Sequence, residues 1–139
     1  MNTFVKCRTI VCGYGIGNVL LTVEPINFLS MINTEKGIID DMHHELFGRC
    51  IKGAVLVFPG ANGSSVGAYA IYSLKVNGLA PTAIICSNKA DITTASGCAI
   101  SNIPLVDSPD VKPFLAIRSG MEVKVDADND MVCLTNRTV

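Results

Sequence analysis

Two adjacent serines, Ser64 and Ser65, lie in the glycine-rich stretch GANGSSVG (residues 60–67). The apolar run AVLVF precedes this stretch and AYAIYSLKVNG follows it, an order that predicts a strand, a tight loop and a helix. Backbone N–H groups at a helix N-terminus favour negative charge, so the loop could hold an anion or stabilise a serine alkoxide. Either serine could instead only cap the helix, and the residues alone leave these three roles open.

Known loop motifs do not account for the two serines. The lysine of a phosphate-binding Walker loop is missing, and so is the second glycine of a G-x-S-x-G nucleophile elbow. The loop carries no arginine, and no histidine is placed by sequence to act with a serine. If Ser64 does chemistry, another polypeptide must therefore supply the rest of the site.

Two other polar clusters indicate a functional site less clearly than the serine pair does. His43 and His44 are adjacent, and neighbouring side chains point in different directions, so we predict a surface-loop pair and not a metal site. Asp126, Asp128 and Asp130 resemble the start of a calcium loop, but the glycine and the downstream glutamate are missing. We predict a solvated hairpin turn there.

The glycines of GYGIGN (residues 13–18) do not fit a dinucleotide-binding fingerprint, because the segment leads into a strand-like stretch and not a helix. We predict a hairpin turn at these glycines. The 6 cysteines are scattered without a C-x-x-C pair, which favours reduced, mostly buried thiols over a metal or cluster site within this chain.

Composition narrows the class of protein. The 139 residues are 49% apolar and 17% charged, with a net charge of -1, so we predict a single globular domain over residues 1–139. The lack of a basic excess argues against binding nucleic acid or anionic membranes. No apolar run is long enough to span a bilayer or to act as a signal peptide, which predicts a cytoplasmic protein.

The order of elements indicates an α/β fold. We predict one strand in TFVKCRTIV (3–11), another in NVLLTV (18–23), and a short strand or turn in EPINFLSMI. Residues 54–87 predict a strand–helix–strand crossover, with Gly78 ending the helix. A short helix in residues 90–104, a brief strand in PLVD and a hairpin over residues 119–134 follow. The whole predicts a β-rich body with one crossover, a compact β/β/α domain.

Four segments in this order resemble one family, the small subunits of aconitase-X-type dehydratases. They are EPINFL (24–29), HELFGRCIKG (44–53), the long run from Gly53 to Ile85 that contains GANGSSVG, and AISNIPLVD (99–107). The similarity extends from about Val11 to Val125. It implies a swivelling β/β/α domain like the mobile domain of aconitases.

The resemblance also implies a heterodimer. A large catalytic subunit would hold a [4Fe–4S] cluster on its own cysteines, where iron can polarise a hydroxyl leaving group. The implied substrate is a phosphorylated hydroxy acid, (R)-5-phosphomevalonate. Its dehydration would give trans-anhydromevalonate 5-phosphate in an archaeal mevalonate pathway to isoprenoids.

By matching the paired serines, Ser64 takes the family's role of catalytic base. Ser65 would neighbour the substrate with Gly63 and Asn62, and the amides of Gly63 and Ser65 could steady an alkoxide. Aconitases follow the serines with an arginine that holds a substrate carboxylate, whereas Val66 stands here. We therefore expect anion recognition from the large subunit, and the departure argues against a citrate-like substrate.

Two alternatives stay open. The chain could belong to a related hydro-lyase acting on another substrate, such as cis-3-hydroxyproline, or it could be a non-catalytic module that binds small anions. For the partner, we predict a docking face formed by part of residues 26–31 together with HHELF (43–47), because these segments are apolar within turn-rich surroundings.

Overall fold

The computed structural model describes residues 2–135, which form ten strands, four short α-helices and a 3₁₀ turn. The strands are β1 (Asn2–Lys6), β2 (Arg8–Val11), β3 (Tyr14–Leu21), β4 (Ile32–Asn33), β5 (Ile38–Ile39), β6 (Val55–Phe58), β7 (Ala83–Cys86), β8 (Leu105–Asp107), β9 (Glu122–Asp126) and β10 (Met131–Thr135). The α-helices are α1 (Phe28–Met31), α2 (Gly67–Val76), α3 (Ile92–Ser101) and α4 (Val111–Phe114), and a 3₁₀ turn covers Ala127–Asn129.

Eight of these strands form one sheet in the order β1-β10-β9-β3-β6-β7-β8-β2, while β4 and β5 pair separately. Strands β3, β6, β7 and β8 are parallel, and the other pairs in the sheet are antiparallel. Because β1 and β2 lie at opposite ends of this order but only Cys7 separates them, the sheet must curl until its two ends meet. The prediction of one strand over residues 3–11 is therefore wrong, since the chain pairs with β10 before Cys7 and with β8 after it.

The central parallel strands are buried on both faces, which explains their continuous apolar runs. In β6, Leu56 and Phe58 face the core between the sheet and α2 and α3, and Val55 and Val57 face the core inside the curled sheet. Each parallel strand thus contributes alternate side chains to two cores, and the sheet is fixed from both sides.

Two crossovers build the parallel half. The β6–α2–β7 unit confirms the predicted strand–helix–strand, with Val55 opposite Ala83, and Gly78 ends the helix with a φ of 71°. A second unit, β7–α3–β8, was not predicted, because residues 90–104 indicated only a short helix and not the ten residues observed. The two helices approach closely at Gly97, where an added Cβ would lie 2.6 Å from Cδ1 of Ile71.

The predicted hairpin turn at GYGIGN is wrong, because Tyr14–Leu21 is a strand that pairs with β9 and β6. The glycines serve close packing instead. A Cβ at Gly15 would lie 2.7 Å from the carbonyl oxygen of Thr82, and one at Gly17 would lie 2.5 Å from that of Gly53. Glycine within a strand often marks such close backbone approach.

The hairpin β9–β10 is confirmed, with Val132 opposite Val125. Its acidic turn is more than a solvated loop, because two carboxylates bind the chain around β2. Asp128 Oδ1 accepts from the N–H of Gly13 at 3.0 Å, and Asp130 Oδ1 accepts from that of Thr9 at 3.2 Å. These contacts account for both acidic side chains without a cation.

Candidate active site

The loop between β6 and α2 exposes both serines. Residues 62–66 are all exposed, and the helix proper begins at Gly67 without a side-chain cap. Ser64 Oγ accepts from the N–H of Val66 at 3.2 Å, and the carbonyl oxygen of Ser64 accepts from Gly67 N at 3.0 Å. The hydroxyl of Ser64 therefore supports the turn that leads into α2, and neither serine side chain caps the helix itself.

Three consecutive amides in this loop make no hydrogen bond within the described residues. Among residues 2–135, the N–H groups of Gly63, Ser64 and Ser65 have no hydrogen-bond acceptor, whereas Asn62 N donates to the carbonyl oxygen of Ile26 at 3.1 Å. Free donors at the start of a helix favour a negative charge, by hydrogen bonding and through the helix dipole. The loop can therefore stabilise an anion close to the Ser64 hydroxyl.

The segment before α1 holds the glycine loop from one side. Ile26 forms an isolated parallel bridge with Ala61 and is fully buried. Asn27 caps α1 by accepting from Leu29 N at 3.1 Å, and its amide lies against Gly63. Gly63 has a φ of +84°, and a Cβ there would come within 2.2 Å of Asn27 Nδ2. This position requires glycine for both its backbone conformation and its space.

Asp91 holds the loop from the other side. Its Oδ1 accepts from the N–H of Ala61 at 2.8 Å and from the hydroxyl of Thr94 at 2.9 Å, and its Oδ2 accepts from Thr94 N at 2.9 Å. One carboxylate thus caps α3 and fastens the glycine loop to it. Sequence analysis did not identify Asp91 as a site residue. Its place before ITTASGCAIS is a readable N-cap signal, but the contact with Ala61 depends on the fold.

A cleft of about 400 Å³ opens beside the loop, at the carboxyl ends of the parallel strands. Its walls come from three connections, those after β3, β6 and β7. The lining residues are Val23, Pro25, Pro59, Gly60, Ala61, Asn88, Lys89 and Asp91. Ligands of open α/β sheets bind at this edge, where loops gather at the strand ends. Lys89 is the cation among these residues and was also absent from the sequence-based candidates.

A smaller groove of about 190 Å³ lies on the other side of the loop and includes Asn62, His43 and His44. The prediction that both histidines lie at the surface is correct for His43, which is exposed, and wrong for His44, which is buried. The Nε2 of His44 lies 3.2 Å from the carbonyl oxygen of Pro25, and its Nδ1 accepts from the N–H of Leu46 at 3.1 Å. Both ring nitrogens are thus engaged in structure, which anchors the Pro25 segment.

Glu45 reinforces the same segment from the surface. Its Oε1 accepts from the hydroxyl of Thr22 and from the N–H of Val23 at 3.1 Å. The bond from Thr22, and then the bond from Val23, lower the pKa of the Glu45 carboxyl below its ordinary value. The carboxylate therefore stays charged and holds the connection after β3 that lines the cleft.

The predicted docking face is partly buried. Ile26 and Phe28 lie in the core, and so does Leu46, so these side chains cannot meet a partner. Leu29 and Phe47 of the same segments are exposed, so their side chains are accessible to a partner. The pattern follows from α1, whose first turn directs Phe28 inward, against Phe58, and Leu29 outward.

All six cysteines are free; Cys7, Cys86 and Cys98 are buried, Cys12 and Cys50 are exposed and Cys133 is half-buried. Burial raises the pKa of Cys7 and of Cys98 to about 12 and raises that of Cys86 as well. Metal ligation requires the thiolate, which these three resist. Within residues 2–135, no group of three or more His, Cys, Asp or Glu side chains could hold a metal ion. The described residues therefore do not fit an iron–sulfur cluster.

The fold and this loop place the chain in a known class. The family model described as the aconitase X swivel domain matches residues 4–134, and the chain belongs to this family. No helix within residues 2–135 is long and apolar enough to cross a membrane. The family confirms the predicted fold class, a swivel-type α/β domain.

Curated relatives and a solved structure extend the match. The chain is 41% identical over 133 residues to the phosphomevalonate dehydratase small subunit of Methanococcoides burtonii, covering 96% of each. It is 43% identical over 128 residues to the protein of the same name from Thermococcus kodakarensis, covering 92% of this chain and 93% of the relative. It also resembles the crystal structure of Thermococcus kodakaraensis aconitase X in its holo form, with a TM-score of 0.90 and 41% identity over 96% of this chain and 99% of that one.

Proposed function

We propose that this chain is the small subunit of a phosphomevalonate dehydratase and that Ser64 accepts the proton removed from the substrate. The observation that carries this proposal is the Ser64 hydroxyl, exposed beside three free amides, in a chain 41% to 43% identical to small subunits of that name. The reaction is the removal of water from (R)-5-phosphomevalonate to give trans-anhydromevalonate 5-phosphate.

In this reaction, the C2–H bond breaks and its proton passes to Ser64 Oγ. A double bond forms between C2 and C3 as the C3–O bond breaks; the departing hydroxide takes up a proton to become water, and Ser64 then returns its proton to solvent, so that one water is lost overall. A serine hydroxyl is a weak base unless the negative charge of its alkoxide is stabilised. The free N–H groups of Gly63, Ser64 and Ser65 support such stabilisation, since they are fixed before the reaction begins and need no reorganisation.

The neighbours of Ser64 take roles in holding the substrate. The Ser65 hydroxyl is exposed on the same turn, and Asn62 lines the adjacent groove. We propose that Ser65, Asn62 and the amide of Gly63 contact the substrate near its carboxylate, which is bonded to C2. Val66 leaves the loop itself without a cation, so the remaining anionic group must be bound elsewhere.

We further propose that the site is completed by a large catalytic subunit in a heterodimer. The word "small subunit" in the relatives' names supports a larger partner. Since the described residues of this chain do not fit a [4Fe–4S] cluster, we assign that cluster to the large subunit. This chain would then supply the proton acceptor and part of the substrate pocket.

Exposed apolar side chains around the loop support a covered site. They lie at the end of β3 and at the starts of three helices: Val23, Leu29, Val66, Tyr69 and Ile92. Val23 and Ile92 are each 80% exposed, which is high for β-branched apolar residues beside a polar loop. A partner seated on this ring would bury it and exclude water from Ser64.

The test is a dehydration assay on the complex. The chain is co-expressed anaerobically with the candidate large subunit, and phosphomevalonate turnover is compared between wild type, Ser64→Ala and Ser96→Ala. We expect Ser64→Ala to lose activity by about 10²-fold or more, as general-base removal does. Ser96→Ala, an exposed serine on α3, serves as the matched control and should keep activity.

Assembly is measured on the same samples by size-exclusion chromatography. An inactive Ser64→Ala complex of normal size supports the proposal. Equal activity of both variants would return Ser64 to a structural role. Turnover of cis-3-hydroxyproline but not of phosphomevalonate would support a related hydro-lyase instead, and anion binding without a partner would support a non-catalytic module.

A further inference from the structure

The connection after β7 presents a lysine on a firmly held segment. Asp107, whose side chain is fully buried, accepts from the N–H of Ala90 at 2.6 Å, and Arg8 grips the same carboxylate through Nε at 2.8 Å and Nη2 at 2.6 Å. Asp91 then fastens the segment to Ala61 in the glycine loop. Lys89 directly precedes these two anchors, and on its other side Ser87 N donates to the carbonyl oxygen of Phe58 at 2.9 Å, so the backbone around Lys89 is held relative to the glycine loop.

Lys89 is exposed and makes no salt bridge among residues 2–135. Lys89 and Asn88 line the 400 Å³ cleft together with Gly60 and Ala61. Arg8, a second cation near this edge, is committed to Asp107. The cleft therefore offers one ammonium group without an ion pair and one side-chain amide, beside the Asp91 carboxylate that is bonded to Ala61 and Thr94.

We propose that Lys89, with Asn88, binds the phosphate of the substrate, a role that rests on the proposed function and deepens it. Ser64 removes a proton from C2, so the carboxylate bonded to C2 must lie at the serine turn and its free amides. The phosphate is at the far end of the substrate from C2. The cleft is lined by Gly60 and Ala61, four and three residues before Ser64, and by Lys89, whereas residues 62–65 are not among its lining residues.

The chemistry of the two groups matches their places. A lysine ammonium is a compact point charge that suits a phosphate, and an amide adds a directional donor. Val66 supplies no cation next to the serines, so the carboxylate must rely on neutral donors there. The positive charge of this chain's own pocket is thus at the phosphate end, while the Asp91 carboxylate there is engaged by Ala61 and Thr94; this arrangement would favour phosphorylated hydroxy acids.

The experiment measures kcat and KM of the complex for wild type, Lys89→Ala, Lys89→Arg and Lys75→Ala. Lys75, an exposed lysine in the last turn of α2, is the matched control. We expect Lys89→Ala to raise KM by about 10- to 100-fold, the usual effect of losing a charged hydrogen bond, with kcat changed by less than about threefold. Lys89→Arg should recover most of the affinity, and Lys75→Ala should change neither constant.

Two competitive inhibitors distinguish binding at the phosphate end of the substrate from binding at its carboxylate end. The inhibition constant of inorganic phosphate should rise in Lys89→Ala, while that of 3-hydroxy-3-methylbutyrate, which has the carboxylate end only, should not. A rise for the carboxylate compound alone would overturn the proposal, as would an unchanged KM. Loss of the complex on size exclusion in Lys89→Ala would also overturn it, by assigning Lys89 to the subunit interface.

Calorimetric titration of inorganic phosphate into the complex tests the phosphate site independently of the dehydration reaction. If the wild-type complex fails to dehydrate phosphomevalonate, the proposed function fails. Weaker phosphate binding in Lys89→Ala would then still support Lys89 as the phosphate site, and equal binding in both would reject it.

Discussion

The antiparallel and parallel halves of the curled sheet differ in how their residues are buried. In the antiparallel half, β9 and β10 alternate between buried residues, such as Val123, Val125 and Val132, and residues that are only half-buried. In the parallel half, every residue of β6, β7 and β8 is buried. The antiparallel strands face one core, whereas the parallel strands separate two.

This difference explains where polar chemistry collects. Parallel strands need crossovers, so their carboxyl ends and the starts of α2 and α3 meet at one edge. The glycine loop, Asp91 and Lys89 all lie there. The tight hairpin between β9 and β10 uses the carboxylates of Asp128 and Asp130 to bind the backbone of Gly13 and Thr9. The antiparallel half serves mainly to close the second core.

The largest expected effect tests whether the parallel half is the more rigid one. Leu56→Ala, on the fully buried central strand β6, should lower the free energy of unfolding by about 3–5 kcal/mol, since strands and helices enclose it on all sides. Leu134→Ala, on β10, should cost closer to 2 kcal/mol, because the thinner antiparallel wall can relax. Urea unfolding curves measure both. Equal losses would show that the two halves pack alike.

The second effect separates backbone strain from crowding at the site edge. Gly63 and Gly48 have similar φ values of +84° and +80°, but a Cβ meets Asn27 at the first and nothing within 4 Å at the second. Gly48→Ala should cost about 1–2 kcal/mol from the left-handed conformation alone. Gly63→Ala should cost about 1 kcal/mol more, through loss of the Asn27 cap, and should also lower the activity of the complex. Equal unfolding midpoints would contradict the close contact.

The third comparison sets one carboxylate from each half against the other. Asp91→Ala removes the cap of α3 and the anchor of Ala61, so it should destabilise the fold by about 1–2 kcal/mol and reduce turnover. Asp128→Ala removes one exposed bond to Gly13 and should stay within about 0.5 kcal/mol, with turnover unchanged. Thermal unfolding with a parallel activity assay measures both. If Asp91→Ala changes neither the stability nor the turnover, Asp91 does not hold the glycine loop in place.

The smallest effect concerns acid stability at Asp107. Burial raises the pKa of its carboxyl, but the bonds from Arg8 and Ala90 outweigh this and leave the pKa below the ordinary value of 3.8. A lowered folded pKa stabilises the protein above the unfolded value and loses that stability as the pH falls below 3.8 through the folded pKa. Asp107→Asn should flatten the fall in unfolding free energy in that acid window. An unchanged slope in urea titrations across it would contradict the assignment.

Much of the fold could be predicted, because burial on both faces leaves a strong mark. The runs around Val55–Phe58 and Ala83–Cys86, with a helix between them, established the first crossover. The errors fell where one residue decides between alternatives. Nothing local shows that the chain changes sheet edge at Cys7, or that Gly15 and Gly17 sit in a strand because Thr82 and Gly53 press against them.

Part of the candidate site could likewise be predicted from the sequence, and part could not. Ser64 and Ser65 could be singled out, since glycine loop, serine pair and helix are adjacent in sequence, and the structure brings them together with Gly63 and Asn62. Asp91 and Lys89 are about 25 to 30 residues further along the chain and reach the loop only through the parallel pairing of β6 and β7. Pairing partners of this kind depend on the whole sheet.

The pairing of Asn2 with Thr135 has a mechanical consequence. The first and last described residues are neighbours on adjacent strands, so force applied to these two points would act on the β1–β10 pairing before it reached the glycine loop. A short linker could join the same two points, and the chain could then be opened anew in an exposed turn such as that at Gly48. Such a circular permutant would leave the sheet edge that carries the glycine loop unaltered.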